Sequence, residues 1–263
     1  GMRGGCKRGL SDVRQCVSVE VRREWWWLRT GNLGRGSALR GMRKRGERAC
    51  GEEGGGVVSE HGWAMLGERV ALEPSYYEKA TRNLDEKRRI GGRAASLIED
   101  GMAVFIGNGT TTIEIVRALR ERPPVEVKVF TNALTHATEL AEIPQVEVYV
   151  IGGYLRGVSF AMVGPLACQA LAGVYFDLAF LGANGLSLDH GITIPSLEEA
   201  ETAAEIVGHA RKVAVVVDHT KFGVSAHGRI VGIEEVDLVI TDHEVAPGVG
   251  RSLTECGVEL LVA

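Results

Sequence analysis

The residues best suited to hold an anion form one short loop between an apolar run and a helix-forming segment. They are Gly107, Asn108, Gly109, Thr110, Thr111 and Thr112. A strand leading through such a loop into a helix offers free backbone N–H groups, the positive end of the helix dipole and hydroxyl donors, and these favour a bound phosphate. The loop matches neither the Walker pattern nor GxGxxG, so it does not indicate a nucleotide. The alternative is a tight turn with a threonine N-cap.

Three further loops follow apolar runs and carry groups that could contact the same ligand. Asn132 could hydrogen-bond sugar hydroxyls, and Arg156, after the turn at Gly153, could clamp a phosphate or a carboxylate. The loop with Gly182 and Asn184 requires a close backbone approach or a positive φ. The structural alternatives are turn and cap chemistry for the amide and a surface position beside a glycine turn for the arginine.

Asp218 and Lys221 follow another apolar run and lie three residues apart. They could bind a sugar and its phosphate, act as an acid–base pair, or form an ion pair that only stabilises the end of a strand. The seven histidines and five cysteines show no metal-ligand spacing. We therefore expect neither a metal site nor another cofactor.

The elements that must position these loops are short apolar runs alternating with amphipathic segments. The predicted strands are 103–106, 127–130, 146–151, 178–181, 213–217, 238–240 and 258–262. The predicted helices are 85–99, 112–120, 134–142, 165–171, 197–210 and 246–256. This alternation predicts an α/β fold, with three layers built around a Rossmann-like, mostly parallel sheet. Right-handed crossovers would bring the carboxyl ends of the strands, and hence the loops, to one edge.

Charge is distributed unevenly along the 263 residues. Residues 1–60 carry 13 Lys and Arg against 7 Asp and Glu, whereas residues 61–263 carry 17 against 27. A basic N-terminal segment followed by an acidic region is typical of a nucleic-acid-binding domain joined to a regulatory domain. A solvated basic segment without such a role has the same composition. No apolar run approaches the roughly 20 residues of a membrane span, and no signal peptide is indicated. We therefore expect a cytoplasmic protein without membrane contact.

The chain divides into three regions. Residues 1–60 are rich in Gly and Arg and show no sustained helical or strand periodicity, so we expect an irregular segment that is disordered or misread. Residues 61–84 are expected to be a linker, although Ser75 and Glu78 have the spacing of a capping box. Residues 85–263 are expected to form the α/β domain.

The loops, in their order and spacing, resemble the sensor domain of DeoR-type transcriptional regulators over residues 73–263. The shared motifs are Glu86-Lys87-Arg88-Arg89-Ile90, Gly109-Thr110-Thr111-Thr112, Thr131-Asn132, Gly152-Gly153-x-x-Arg156, Asp177-x-Ala179-Phe180-Leu181-Gly182-Ala183, Asp218-x-x-Lys221-Phe222 and Ile240-Thr241-Asp242. The resemblance implies a fold related to ribose-5-phosphate isomerase, a phosphorylated sugar as effector, and a homodimer or homotetramer. It assigns the phosphate to the loop 109–112 and further effector contacts to Asn132, Arg156 and Lys221.

The chain departs from the DeoR pattern in two places within the sensor. Gly107 stands where the family usually has an acidic residue, and Thr202 stands where a lysine usually follows Glu199-Ala200-Glu201. The loss of this lysine makes isomerase-like chemistry less plausible. Upstream, His61-Gly62-Trp63-Ala64 is similar to the end of a winged helix-turn-helix, but no capped recognition helix precedes it. The hypothesis of a misread N-terminus requires a helix-turn-helix in another frame of the coding DNA.

These patterns predict a DNA-binding transcriptional regulator, a repressor of sugar-metabolism genes, and not an enzyme. Residues 85–263 would bind the phosphorylated sugar and form the oligomer, and an N-terminal head, if present, would bind operator DNA. Two alternatives remain open. One is a sugar-phosphate isomerase-like enzyme on the same fold, and the other is a stand-alone effector-binding module without DNA binding.

Overall fold

The computed structural model describes residues 73–263 and, upstream of them, two short strands, β1 (Val58–Glu60) and β2 (Trp63–Met65). These strands pair antiparallel, with Val58 opposite Met65. The rest of the segment 1–60, together with residues 61, 62 and 66–72 of the expected linker, lies outside the described residues. The expectation of a disordered or misread N-terminus therefore stays a prediction.

A seven-stranded, entirely parallel sheet forms the centre of the described region. In spatial order its strands are β14 (Glu259–Val262), β13 (Leu238–Thr241), β11 (Val213–Val216), β8 (Leu178–Gly182), β3 (Ala103–Ile106), β4 (Val127–Thr131) and β5 (Val146–Val150). Each matches a predicted strand to within one residue at either end. The five inner strands β13, β11, β8, β3 and β4 consist largely of buried residues because helices cover both faces of the sheet. The predicted α/β fold class is confirmed.

Seven helices lie within the described residues. They are α1 (Tyr76–Ala80), α2 (Leu84–Ala95), α3 (Thr112–Glu121), α4 (Leu134–Leu140), α5 (Pro165–Ala170), α6 (Leu197–Gly208) and α7 (Val249–Glu255). Apolar residues of α2, α3 and α4 pack on one face of the sheet, and those of α5, α6 and α7 pack on the other. This arrangement gives the three predicted layers. None of the helices of the described region is long and apolar enough to cross a membrane.

Five further short strands, which were not predicted from the sequence, lie outside the central sheet. They are β6 (Tyr154–Arg156), β7 (Ala161–Val163), β9 (Gly185–Ser187), β10 (Gly191–Ile194) and β12 (Gly228–Val231). The first two form an antiparallel hairpin, and the other three form an antiparallel sheet in the order β12-β10-β9. With only three or four residues each, they carry too little alternation to be recognised from a single sequence.

The segment 61–84, expected to be a linker, contains the packed helix α1. Ser75 caps it as predicted: its backbone N–H donates to Glu78 Oε2 at 2.8 Å, and its Oγ accepts from the Glu78 N–H at 3.4 Å. The Tyr76 N–H donates to the Val158 carbonyl at 2.9 Å, and the buried Tyr76 ring packs edge-on against Phe160. Helix α1, within the segment expected to be a linker, therefore packs on the α/β domain.

Helices α2 and α3 pack closely because a glycine faces the contact. A Cβ built on Gly91 would lie 2.5 Å from the Cβ of Glu114, whereas a Cβ on Gly92 would meet nothing within 4 Å. From propensity alone, both glycines are expected to weaken a helix. The structure shows that one of them is required by packing, and that α2 ends at Ala95 rather than at residue 99.

We expect Gly91→Ala and Gly92→Ala to change the stability of the protein in opposite directions. Overpacking against α3 should lower the free energy of unfolding by about 1–3 kcal/mol for Gly91→Ala. Gly92→Ala should raise it by roughly 0.5–1 kcal/mol, because alanine loses less backbone entropy in a helix. Urea unfolding followed by far-UV circular dichroism measures both. Equal effects of the two variants would contradict the close packing of α2 on α3.

Candidate anion-binding site

A cavity of about 920 Å³ opens at the carboxyl edge of the central sheet. Its walls come from the loops after β3, β8 and β11, from the β9–β10–β12 sheet, and from α1 and the start of α2. Nine of the residues predicted for the site line it: Gly107, Asn108, Gly109, Thr110, Thr111, Gly182, Asn184, Asp218 and Lys221. Four others do not: Thr112, Asn132, Gly153 and Arg156. The carboxyl ends of parallel strands thus meet as expected.

The loop between β3 and α3 presents unused donors to the cavity. The backbone N–H groups of Gly109, Thr110 and Thr111 make no hydrogen bond to any described residue. The hydroxyls of Thr110 and Thr111 also have no partner among these residues, and Thr111, the N-cap of α3, does not use its side chain for capping. Free N–H groups at a helix start carry partial positive charge. The loop therefore has the donors that a phosphate requires.

Asn132 and Thr112 do not line the cavity; their side chains hydrogen-bond to the backbone of this loop. Asn132 Oδ1 accepts from the Asn108 N–H at 3.2 Å, and its Nδ2 donates to the Met162 carbonyl at 3.2 Å. Thr112 Oγ1 donates to the Gly109 carbonyl at 3.1 Å and lies 3.0 Å from His136 Nε2. Direct effector contact by these two side chains was expected; in the structure neither lines the cavity, and their polar groups bond to backbone atoms of the loop and of Met162.

His136 supports Thr112 as a neutral ring. Its side chain is fully buried, and burial lowers the pKa of His136 to about 3. Its Nδ1 lies 3.1 Å from the hydroxyl of Thr135. An uncharged imidazole beside the loop adds no charge to the anion site and serves to orient Thr112.

Arg156 does not point into the cavity, contrary to the prediction of a phosphate clamp. Its guanidinium donates from Nη2 to Glu73 Oε2 at 3.0 Å and from Nη1 to Glu199 Oε1 at 2.5 Å. Two carboxylates already neutralise it, so it is not free for a ligand. Gly153 also lies outside the cavity: a Cβ there would approach the Val163 carbonyl to 2.7 Å, so this glycine allows close packing of the hairpin.

The cations that face the loop come mostly from the segment upstream of the sheet. Lys79, Arg82 and Lys87 line the cavity together with the predicted Lys221. Of these three, only Lys87 stood in a motif considered in the sequence, and it was not proposed as a site residue. Sequence spacing gives no signal for this grouping, because it depends on how α1 and α2 pack over the sheet edge.

Lys87 is the most deeply placed of these cations. Its side chain is 3% exposed, and Nζ donates to the Lys79 carbonyl at 2.5 Å. Burial lowers the pKa of Lys87 to about 8, and the charge of Asp218 opposes this effect. Burial also lowers the pKa of Lys79. A bound anion would favour the charged form of both side chains.

Asp218 is held by its neighbours at the end of β11. Its Oδ1 accepts from Asn83 Nδ2 at 3.2 Å and from the Thr220 N–H at 3.1 Å. Lys221 Nζ lies 4.0 Å from Oδ2. Among the described lining residues, four Lys and Arg stand against two Asp and Glu. The cavity is thus positive although the domain that surrounds it is acidic, which favours an anionic ligand.

No group of three or more His, Cys, Asp or Glu within the described region is placed to hold a metal ion. The described part of the site offers a loop with unused donors, four Lys and Arg side chains, two carboxylates and a set of other polar side chains.

The fold and the site together define the class of protein. It is a Rossmann-like α/β domain with a positively charged cavity at the carboxyl edge of its sheet. Residues 82–243 match the model of the DeoR C-terminal sensor domain. The chain belongs to this family of transcriptional regulators, and the resemblance noted in the sequence is confirmed.

Named relatives agree with this assignment. The HTH-type transcriptional regulator GlpR of Haloferax volcanii is 34% identical over 212 residues, which cover 80% of this chain and 81% of the relative. The lactose phosphotransferase system repressor of Lactococcus lactis is 30% identical over 197 residues, or 74% of this chain and 77% of the relative. Ribose 5-phosphate isomerase A of Neisseria gonorrhoeae superposes at a TM-score of 0.40 and 12% identity, over 52% of this chain and 53% of that one. A partial superposition of this kind supports no conclusion about function.

We expect the buried Lys87 to make the protein more stable as pH rises from about 8 to about 10. An unfolded lysine titrates near 10.4, so in this interval the unfolded chain binds more protons than the folded one and the free energy of unfolding increases with pH. Lys87→Met should remove this part of the slope, and Lys212→Met, an exposed lysine, should retain it. Urea unfolding at several pH values measures the slopes. Identical slopes for wild type and Lys87→Met would show that the Lys87 pKa is not lowered.

Proposed function

We propose that this protein is a transcriptional regulator whose sensor domain binds a phosphorylated sugar in the cavity at the sheet edge. The observation that carries the proposal is the pairing of unused N–H and hydroxyl donors on the loop 109–111 with four Lys and Arg side chains across the same cavity. A phosphate satisfies both sets at once, because it is a dianion with several acceptor oxygens.

Further polar side chains support a hydroxylated ligand in the rest of the cavity. Asn108, Asn184, His190, Ser225 and His227 line it beside the cations. Amides, hydroxyls and imidazoles can both donate and accept hydrogen bonds, as sugar hydroxyls do. An apolar anion such as a fatty acid would leave these groups without partners, which is unfavourable.

The family assignment supports the regulatory part of the proposal. The name of one relative describes a transcriptional regulator, and the other is named a lactose phosphotransferase system repressor. We propose that this chain, too, is a cytoplasmic homo-oligomer that represses sugar-metabolism genes through an N-terminal DNA-binding region. The effector would act by binding one conformation of the oligomer more tightly than another.

No observation at the site specifically favours the isomerase-like alternative. Thr202, at the position of the family's lysine, uses its hydroxyl to donate to the Glu198 carbonyl at 2.9 Å and to accept from the Gly164 N–H at 3.0 Å. It supplies no acid or base to the cavity. We expect no interconversion when ribose 5-phosphate or fructose 6-phosphate is incubated with the protein, and steady turnover would favour the enzyme.

The binding experiment uses a valine substitution that keeps the shape of threonine. We expect Thr111→Val to weaken binding of sugar phosphates about 10- to 100-fold, because it removes a hydroxyl that donates to a charged group. Thr138→Val, on the exposed face of α4 outside the cavity, is the matched control and should bind as the wild type does. Isothermal titration calorimetry measures the dissociation constants.

The titration uses ribose 5-phosphate, fructose 6-phosphate, glycerol 3-phosphate and inorganic phosphate. Binding of at least one sugar phosphate, with a loss for Thr111→Val and none for Thr138→Val, is the expected result. If none of the phosphorylated sugars binds the wild type, the proposed function is wrong. Unchanged affinity of Thr111→Val for sugar phosphates would show that the phosphate does not bind at this loop.

A further inference from the structure

Glu199, in the first turn of α6, is a cavity-lining carboxylate that the predicted site did not include. Its side chain is 7% exposed. Its Oε1 accepts hydrogen bonds from Arg156 Nη1 at 2.5 Å and from the hydroxyl of Ser159. Neither donor lines the cavity, so both hold the carboxylate from behind the wall. Two donors on one oxygen fix the orientation of the other oxygen.

The second oxygen, Oε2, is open to a ligand. It accepts no hydrogen bond from any described residue, and it is not among their fully buried atoms without a partner. An ionised carboxylate oxygen can accept two hydrogen bonds and donates none. A nearly buried acceptor without a donor is unfavourable, so a ligand that brings a donor gains binding free energy here.

Asp218, the other acidic side chain among the described lining residues, has a cation beside it. Asn83 and Thr220 donate to its Oδ1, and Lys221 Nζ lies 4.0 Å from its Oδ2, which accepts no hydrogen bond from a described residue. Glu199 Oε2 is therefore the carboxylate oxygen of the described lining that has neither a hydrogen-bond donor nor a lysine within 4.0 Å. The dianionic phosphate group of a sugar phosphate has no proton to donate and is repelled by a carboxylate, whereas a sugar hydroxyl donates to it.

We infer that Glu199 is a specificity-determining residue that accepts a hydrogen bond from a hydroxyl of the bound sugar phosphate, and that Arg156 and Ser159 position it. The inference rests on the proposed function. It divides the cavity into cations and loop donors, which bind the phosphate, and one carboxylate, which selects a hydroxylated ligand over a bare phosphate. Arg156 then acts on the ligand through Glu199, not as the phosphate clamp expected from the sequence.

The test compares two probes on Glu199→Gln, which keeps the size of the side chain and replaces one acceptor by a donor. Affinity for the sugar phosphate that the wild type binds best among ribose 5-phosphate and fructose 6-phosphate should fall about tenfold or more. Affinity for inorganic phosphate should stay the same or increase, because a negative charge leaves the cavity. Glu198→Gln is the matched control: it removes the same charge from the same helical turn outside the cavity and should change neither affinity.

A second measurement on the wild type does not depend on the folding of a variant. Among monodeoxy analogues of the bound sugar phosphate, at least one should bind about tenfold more weakly than the parent. The same analogue should lose little in Glu199→Gln, since the two changes remove one interaction. Equal affinity of the wild type for every monodeoxy analogue would overturn the inference.

The outcomes separate the inference from the function on which it rests. Equal losses of sugar phosphate and inorganic phosphate in Glu199→Gln would indicate a distorted wall, and unchanged sugar phosphate binding would show that Glu199 makes no contact. Either result overturns the inference and leaves the proposed function standing. Wild-type protein that binds inorganic phosphate but no sugar phosphate overturns both.

Discussion

The site depends on keeping several positive charges around one cavity in the absence of an anion. Lys87 is almost fully buried there, with Lys79 and Lys221 nearby, and like charges in such a place repel and lose hydration. The fold compensates in part through the Lys79 carbonyl, which accepts from Lys87, and through Asp218, which lies between α2 and the end of β11. A ligand phosphate would complete this compensation, so stability and binding are linked at the same group.

The N–H donors of the loop 109–111 face the same cavity as these cations, and neighbouring polar side chains support the loop. Asn132 and Thr112 bind the backbone of the loop, and His136 stays neutral beneath it. These side chains bond to the loop from the protein side, and the remaining N–H groups of the loop, on residues that line the cavity, have no hydrogen-bond partner among the described residues. Preorganised donors of this kind bind an anion without first reorganising, which reduces the entropy lost on binding.

Arg156 connects the opposite wall to the upstream chain. It bridges Glu199, which lines the cavity, and Glu73, at the start of the continuously described chain. All three side chains are less than one fifth exposed, so removing one partner would leave a charge poorly compensated. The wall of the cavity and the segment entering α1 are therefore held in one mutual arrangement by a single guanidinium.

The sequence by itself determined the strands of the sheet and their boundaries, and it singled out the Gly/Thr loop after β3 as the candidate anion site. Those features are local: a buried parallel strand is a short apolar run, and a Gly/Thr loop between a strand and a helix places free N–H groups at the helix start. The sequence could not place Lys79, Arg82, Lys87 and Glu199 in the cavity or Arg156 outside it. Their positions depend on how α1, the β6–β7 hairpin and α6 pack around the sheet edge, and only the tertiary structure decides which polar groups are consumed by neighbours and which remain for a ligand.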